Sequence, residues 1–372
     1  MIPIVDLKRQ YKQTGEEIEK AVVDVLRSGA YILGPNTKAL EQEFSQYLGT
    51  KHAIGLNSGT DALHLALRAL DIGKGDEVIT VAFTFVATTE SIEIVGATPV
   101  FVDIDPDTFN MDVTQIEDKI TPRTKAIMPV HLYGQPADMD VIMDIAKRHN
   151  LYVIEDCCQA VGAEYKGKKV GSFGDIGAYS FFPTKNLGGM GDGGMAVTNS
   201  DFLKDRMIAL RNHGGAVRYH HDEIGVNSRL DEIQSAILRV KMNYIDEWNK
   251  MRREVAHRYT ELFKDCEDVI TPKELDETYC VYHQYTIKVP NRDAVQKMLQ
   301  ENGVGAMLYY PIPLHMQKVH AHLGYKMGDL PKTEYNTQHV MSLPMFAELT
   351  AEEQKEELKA IAPRVLFVAL GA

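Results

Sequence analysis

From about residue 50 the chain alternates short, nearly continuous apolar runs with stretches whose apolar residues recur every three or four positions. The runs are HAIGLN (52–57), DEVITV (76–81), TPVFVDI (98–104), KAIMPVHL (125–132) and LYVIED (151–156), then GAYSFF (177–182) and GMAVTN (194–199). Runs this short and this apolar read as buried strands. Between most of them lie DALHLALRAL (61–70), VATTESIEIVG (86–96) and DMDVIMDIAKRHN (138–150), which read as helices. Strand and helix in alternation predict an α/β fold, a mostly parallel sheet flanked by helices on both faces. Ahead of it, Ile18, Ala21, Val22, Val25 and Leu26 lie at helical spacing over residues 15–28, and AYILGP (30–35) breaks that helix.

After residue 199 the texture changes. DFLKDRMIALRNHG (201–214) reads as a helix, and a long helical stretch runs from Arg229 to about Lys264. YHQYTIKV (282–289) reads as a strand, DAVQKMLQENG (293–303) as a helix and VGAMLYY (304–310) as a strand, with a last helix from Ala351. The expectation is a large domain over residues 1–240 and a small α+β C-terminal domain over residues 241–372.

The 372 residues suit such a pair of domains, and 44% hydrophobic with 25% charged residues is ordinary for a globular chain with a sizeable core. The formal net charge of -12 argues against nucleic acid or an anionic membrane as main partner, yet leaves room for a small anion in a local positive pocket. The N-terminus, MIPIVDLKRQYKQTGEE, has no apolar signal core and no run reaches the length of a membrane span, so a cytoplasmic location is expected. The four cysteines form no C-x-x-C pair. His213, His220 and His221, and likewise His315, His320 and His322, lack the spacing of a helical metal pair, so no metal is expected. Arg206, Arg211, Arg218 and Arg229 accompany the first histidine group and read either as a patch for a diphosphate or as a solvated charged loop.

The stretch SFFPTKNLGGMGDGG (180–194) contains GMGDGG, which matches G-x-G-x-x-G. A dinucleotide fingerprint must open a helix, whereas MAVTN beyond it reads as a strand. Two readings stay open. One is a glycine-rich turn; the other is a space cleared beside Lys185, so that its amine can join an aldehyde cofactor as a Schiff base. The second reading needs an acid against a pyridine nitrogen and a phosphate site. Asp156 ends LYVIED, where open α/β sheets bind ligands, although such a residue also caps turns. SGTDALHLAL (58–67) places Ser-Gly-Thr at a helix start, where backbone N–H groups favour an anion, although a plain N-cap looks the same.

The combination and its order carry more than any one part. With AYILGP (30–35), NSGTDAL (57–63), AFTFVAT (82–88), FVDIDPDTFNMD (101–112), VHLYGQPADMD (130–140), IEDCCQAVGA (154–163), SFFPTKNLGGMGDGG (180–194), GVNSRLDEIQSAIL (225–238), YYPIPLH (309–315) and MSLPM (341–345), the chain resembles the DegT/StrS-type nucleotide-sugar aminotransferases. These are fold-type I enzymes of pyridoxal 5'-phosphate (PLP), and the resemblance covers nearly the whole chain. It implies that Lys185 binds the PLP aldehyde and moves protons, that Asp156 pairs with the ring nitrogen, and that Gln159 contacts the phenolic side of the ring. It implies further that Phe85 stacks on the ring, that Gly59, Thr60 and Ser180 bind the phosphate, and that Asn227 reaches that phosphate from the partner of a homodimer. Core packing is the ordinary reading of Phe85. Tyr31, Arg229, Tyr309, Tyr310 and His315 are the implied substrate contacts.

The implied reaction is ping-pong transamination. An amino acid, expected to be glutamate, converts PLP to pyridoxamine phosphate, and the amine then passes to a keto group of a nucleotide-linked deoxysugar. RYHHDEIGVNSRLDEIQSAIL (218–238) is similar to the branch acting at C3; transfer to C4 is the alternative. Two positions depart from the family pattern. Cys157 and Cys158 stand where small alanines are usual and read as packing, and Tyr309 stands where relatives show histidine. A PLP-dependent sugar dehydratase would carry histidine in place of Lys185. A PLP-binding regulator on the same scaffold is the non-enzymatic alternative.

Overall fold

The computed structural model describes residues 2–217 and 219–355. Among them, seven strands form the central sheet: β1 (His52–Leu56), β2 (Glu77–Val81), β3 (Thr98–Val102), β4 (Thr124–Ile127), β5 (Tyr152–Asp156), β6 (Ile176–Ser180) and β7 (Gly194–Thr198). Their order is β1-β7-β6-β5-β4-β2-β3. Neighbours from β3 to β6 pair in parallel, while β7 runs antiparallel to both β1 and β6. All seven expected strands are present, because burial on both faces makes each one apolar at nearly every position.

The helices cover both faces. They are α1 (Leu7–Ser28), α2 (Pro35–Leu48), α3 (Gly59–Ala69), α4 (Ala87–Ile94), α5 (Met139–His149) and α6 (Asp201–Arg211). Leu63 and Leu67 of α3 and Met207 of α6 share one buried cluster with Ile54, Ile154 and Ala196 of the sheet. On the other face Ile142 and Ile145 of α5 pack with Ile79, Ile127 and Val153.

Three expectations are corrected. Helix α1 starts well before residue 15, because the Asp6 side chain accepts from Lys8 N and Arg9 N and caps it there. Helix α2 was not expected at all. Its N-cap, Gly34, offers no side chain; the carboxylate of Glu232 instead accepts from Asn36 N, from Thr37 N at 3.0 Å and from Thr37 Oγ1 at 2.8 Å. A cap supplied from so far along the chain leaves no local mark. The stretch 304–310 is no strand: its pairing is limited to isolated bridges, Val304 with Ile2 and Met307 with Ser342.

The long stretch from Arg229 divides into α7 (Glu232–Met242) and α8 (Ile245–Phe263). Beyond them β8 (Tyr285–Lys288) pairs antiparallel with β9 (Val340–Leu343), with α9 (Arg292–Glu301) and α10 (Pro331–His339) between them along the chain. A separate buried cluster joins Ile2 to Val255, Tyr259, Tyr285, Leu299 and Met341. Residues 351–355 are helical, and the rest of the helix expected from Ala351 lies outside the described residues. No helix among the described residues is long and apolar enough to cross a membrane.

Glu232 thus ties α7 to α2. Burial raises its pKa, but the donors from Asn36 and Thr37 outweigh that and hold it below its ordinary 4.5. Glu232→Gln turns an amide against those donors and is expected to lower the unfolding free energy by about 2 kcal/mol in a denaturant titration at neutral pH. A depressed carboxyl pKa stabilises above its unfolded value and loses that contribution as pH falls through the folded one. The gap between wild type and variant should therefore narrow in acid.

Candidate active site

A cavity of about 360 Å³ opens at the carboxyl ends of β5 and β6 and the start of α3, the place where open α/β sheets hold ligands. Gly59, Thr60, Phe85, Asp156, Gln159, Ser180, Lys185, Tyr309 and Tyr310 all line it.

At one end stands α3. Ser58 caps it, its Oγ accepting from Asp61 N at 3.0 Å. The amides of Gly59 and Thr60 fall in the first turn, where no intrahelical acceptor reaches them and the helix dipole is positive. Only glycine fits at 59: a Cβ there would lie 2.7 Å from Ser180 Cβ and 2.8 Å from Cys158 Sγ. That contact sets Ser180, the last residue of β6, against the helix start. An anion here meets two amides and two hydroxyls.

Asp156 is buried at the end of β5. Its Oδ2 accepts from Thr88 Oγ1 at 2.9 Å and its Oδ1 from Cys158 N at 3.1 Å. Lys185 follows β6 on a loop, partly open to the cavity yet enclosed by protein. Desolvation pushes its ammonium below the usual lysine range, against the opposing pull of Cys158 and Asp156. The larger neutral fraction makes its amine the better nucleophile.

Phe85 is 55% exposed, which argues against a packing role, and its ring lies 6.2 Å from that of Tyr310. Gln159 braces the same wall: its Nε2 donates to Tyr310 Oη at 3.1 Å and its Oε1 accepts from Tyr133 N at 2.7 Å. Tyr309 packs beside Tyr310, and its carbonyl accepts from Tyr133 Oη.

The glycine run after Lys185 turns back into β7 and opens no helix, and its glycines are crowded by their neighbours. A Cβ at Gly188 would strike Pro183 O at 2.3 Å, and Cβ atoms at Gly189 and Gly191 would each meet the Gln234 amide at 2.8 Å. The run folds tightly back and lets α7 approach. Gln234 Oε1 accepts from Met190 N at 2.8 Å, and Lys241 Nζ, its pKa pushed down by burial to about 8, donates to Gly188 O at 2.7 Å.

Four sequence-indicated residues do not line this cavity within one chain. Tyr31 is exposed and its hydroxyl donates to Leu26 O. Asn227 is exposed and bridges Asn212 through the backbone, and Arg229 lines a different surface cleft with His213 and Tyr219. His315 is buried, and its Nε2 meets Glu334 Oε1 at 3.0 Å. Of the basic group, Arg206 pairs with Asp71 and Arg211 with Glu41, while Arg218 lies outside the described residues. Cys157 is buried in the core as expected; Cys158 lines the cavity.

Among the described residues His131, Glu155 and Cys157 bring potential ligand atoms within 4.8 Å of one another. The lone pairs of Glu155 and His131 are engaged, however. Glu155 accepts from Gly171 N, Phe173 N, Gly174 N and His131 Nε2, and His131 Nδ1 accepts from Ala137 N.

Sequence reasoning passed over several lining residues, among them Thr84, Thr88 and His283. Asn186 Nδ2 donates to Asn249 Oδ1 and Val281 O, so its Oδ1 accepts from His283 Nδ1 at 3.2 Å. Burial, with Lys185 and Arg252 nearby, holds His283 neutral, its pKa well below 6.5. The lone pair is thus on Nε2. The adjacency of Asn186 to Lys185 was the one signal available for this pair.

Comparison with known proteins agrees with this geometry. The chain is 52% identical over 363 residues to a pleiotropic regulatory protein of Geobacillus stearothermophilus, covering 97% of this chain and 98% of that protein. It is 48% identical over 365 residues to the UDP-N-acetyl-3-dehydro-alpha-D-glucosamine 3-aminotransferase of Acidithiobacillus ferrooxidans, covering 98% of each. The X-ray structure of S. venezuelae DesV in complex with a ketimine intermediate superposes with a TM-score of 0.96 at 40% identity, covering 98% of each chain. The profile of the DegT/DnrJ/EryC1/StrS aminotransferases matches residues 12–362, and the chain belongs to that family.

Proposed function

We propose that this aminotransferase moves an amino group from an amino acid, L-glutamate in our reading, to C3 of a keto sugar carried on a nucleotide diphosphate. The observation that carries the reading is the meeting of Lys185, Asp156 and the start of α3 in one cavity. These residues fit PLP: the cradle at Gly59 is one that a Cβ would fill, and an acid stands with a lysine of lowered pKa. Bound there, PLP supplies an aldehyde for amine exchange and an electron-withdrawing ring, with pyridoxamine phosphate as its amino form.

In this reading the amides of Gly59 and Thr60 and the Ser180 hydroxyl bind the phosphate. Asp156 holds the ring nitrogen's proton, Phe85 and Gln159 fix the ring, and Lys185 Nζ takes up and returns the proton as general base and acid. Tyr309 and Tyr310 wall the substrate side. Position C3 is supported by the Acidithiobacillus relative, a 3-aminotransferase by name, and by the segment 218–238. The regulator reading draws on the name of the Geobacillus relative, but retention of Lys185 beside Asp156 and the start of α3 favours turnover.

The proposal extends to a homodimer in which Asn227 and Arg229 complete the partner's site, to a cytoplasmic location, and to a division of the chain near residue 240. The separate buried cluster around Tyr259 and Met341 supports that division.

Three outcomes are expected. Borohydride reduction of PLP-loaded protein should fix the cofactor mass on the peptide bearing Lys185, and Lys185→Ala should lose both the label and at least about a hundredfold in kcat. A labelled Lys185→Ala protein at full activity would overturn the lysine assignment. Offered nucleotide-linked 3-keto and 4-keto sugars with glutamate, the enzyme should place the new amine on C3 by NMR; turnover of the 4-keto compound alone would sink the position and leave the aminotransferase standing. Finally, mixing Lys185→Ala with Asn227→Ala chains should restore about a quarter of wild-type activity, since half of the dimers hold one intact site. Mixed dimers without activity would count against sharing.

A further inference from the structure

Asp156 is held by a hydroxyl that the proposed chemistry leaves unused. Thr88 Oγ1 lies 2.9 Å from Asp156 Oδ2, and Thr84 Oγ1 lies 3.1 Å from Thr88 Oγ1. All three side chains are buried: Thr84 is 2% exposed, Thr88 1% and Asp156 5%. An ionised carboxylate only accepts, so Thr88 donates to Asp156. Its oxygen then accepts from Thr84, and the whole chain of protons runs one way, from 84 to 88 to 156.

The other oxygen is fixed as well, since Oδ1 accepts from Cys158 N at 3.1 Å. One donor on each oxygen sets the plane of the carboxylate. The two anchors come from different elements, α4 and the turn after β5, so the plane is rigid with respect to both.

We infer that Thr88 is a positioning residue: its hydroxyl, oriented by Thr84, turns the Asp156 carboxylate so that its remaining lone pairs face a protonated ring nitrogen in the cavity. This rests on the reading of the cavity as a PLP site. The role is separable from packing, because valine has nearly the shape of threonine and lacks the hydroxyl.

The test compares two cofactors on apoprotein by equilibrium dialysis: PLP, and 1-deaza-PLP, in which carbon replaces the ring nitrogen. Thr88→Val should weaken PLP about tenfold or more, the effect of losing a hydrogen bond to a charged group, and should change 1-deaza-PLP binding by less than about twofold. Thr88→Ser keeps the hydroxyl and should bind PLP nearly as wild type. Thr84→Val, which leaves the Thr88 donor in place but unoriented, should fall between and serves if Thr88→Val does not fold. Equal losses for both cofactors, or no loss for PLP, would overturn the inference. Failure of wild-type protein to bind PLP would instead overturn the reading of the cavity.

Discussion

The site depends on one close contact. The start of α3 lies so near the end of β6 and the start of β7 that no side chain fits between them. A Cβ at Gly194 would come within 2.2 Å of the Ser58 carbonyl, and one at Gly59 within 2.7 Å of Ser180. This contact brings the free amides of a helix to the carboxyl edge of the sheet. It also sets the length of the cavity, because Asp156 ends the neighbouring strand β5 and Lys185 follows β6. A side chain at either glycine would move the start of α3 relative to the lysine.

Around that frame the electrostatics form a set of compensations. An amine and a carboxylate stand in one cavity with their charged ends surrounded by protein, which lowers the lysine pKa and obliges the carboxylate to find donors. A neutral imidazole at His283 adds an acceptor without adding a charge beside Lys185. Behind the lysine, Arg252 is buried and donates to the carbonyls of Tyr282, His283 and Met345. Those bonds fasten the His283 segment to α8 and to the turn after β9. The polar groups near the Lys185 amine are therefore held in place, which would keep reorganisation small if charge moved there.

Much of this was legible in the sequence, for physical reasons that differ between parts. The strands were legible because burial on both faces leaves a run of apolar residues, as in EVITV of β2, buried at all five positions. Lys185, Asp156 and the Ser-Gly-Thr start of α3 each had an ordinary reading as well, and only their combination and order along the chain marked them; the structure brings all three to one cavity. Helix α2 was not, since its cap comes from Glu232, and residues 304–310 look like a strand although they find only single bridges. Thr88 and His283 were hidden for a related reason. Thr88 acts on a residue 68 positions away and His283 on one 97 away, and no periodicity links such partners.

Three of the four residues that a single chain leaves outside the cavity, Tyr31, Asn227 and Arg229, share a region of the fold. Ile32 bridges Asp231, next to Glu232 at the start of α7, and Met190 is held by Gln234 one turn along that helix. Tyr31, Ile32 and Met190 are 48%, 48% and 44% exposed, and Phe85 and Phe182 at the cavity are 55% and 50% exposed. Asn227 and Arg229 lie on the chain just before α7. Large apolar side chains exposed this closely together are costly on a free surface and ordinary in a subunit interface. Under the proposed dimer the same helix would serve both ends of the problem. Through Gln234 and Lys241 it clamps the glycine run behind its own Lys185, and through the residues before it, it would reach the site of the partner. The glycines of GMGDGG would then matter twice, letting α7 close on the loop and fixing where that helix presents Asn227 and Arg229.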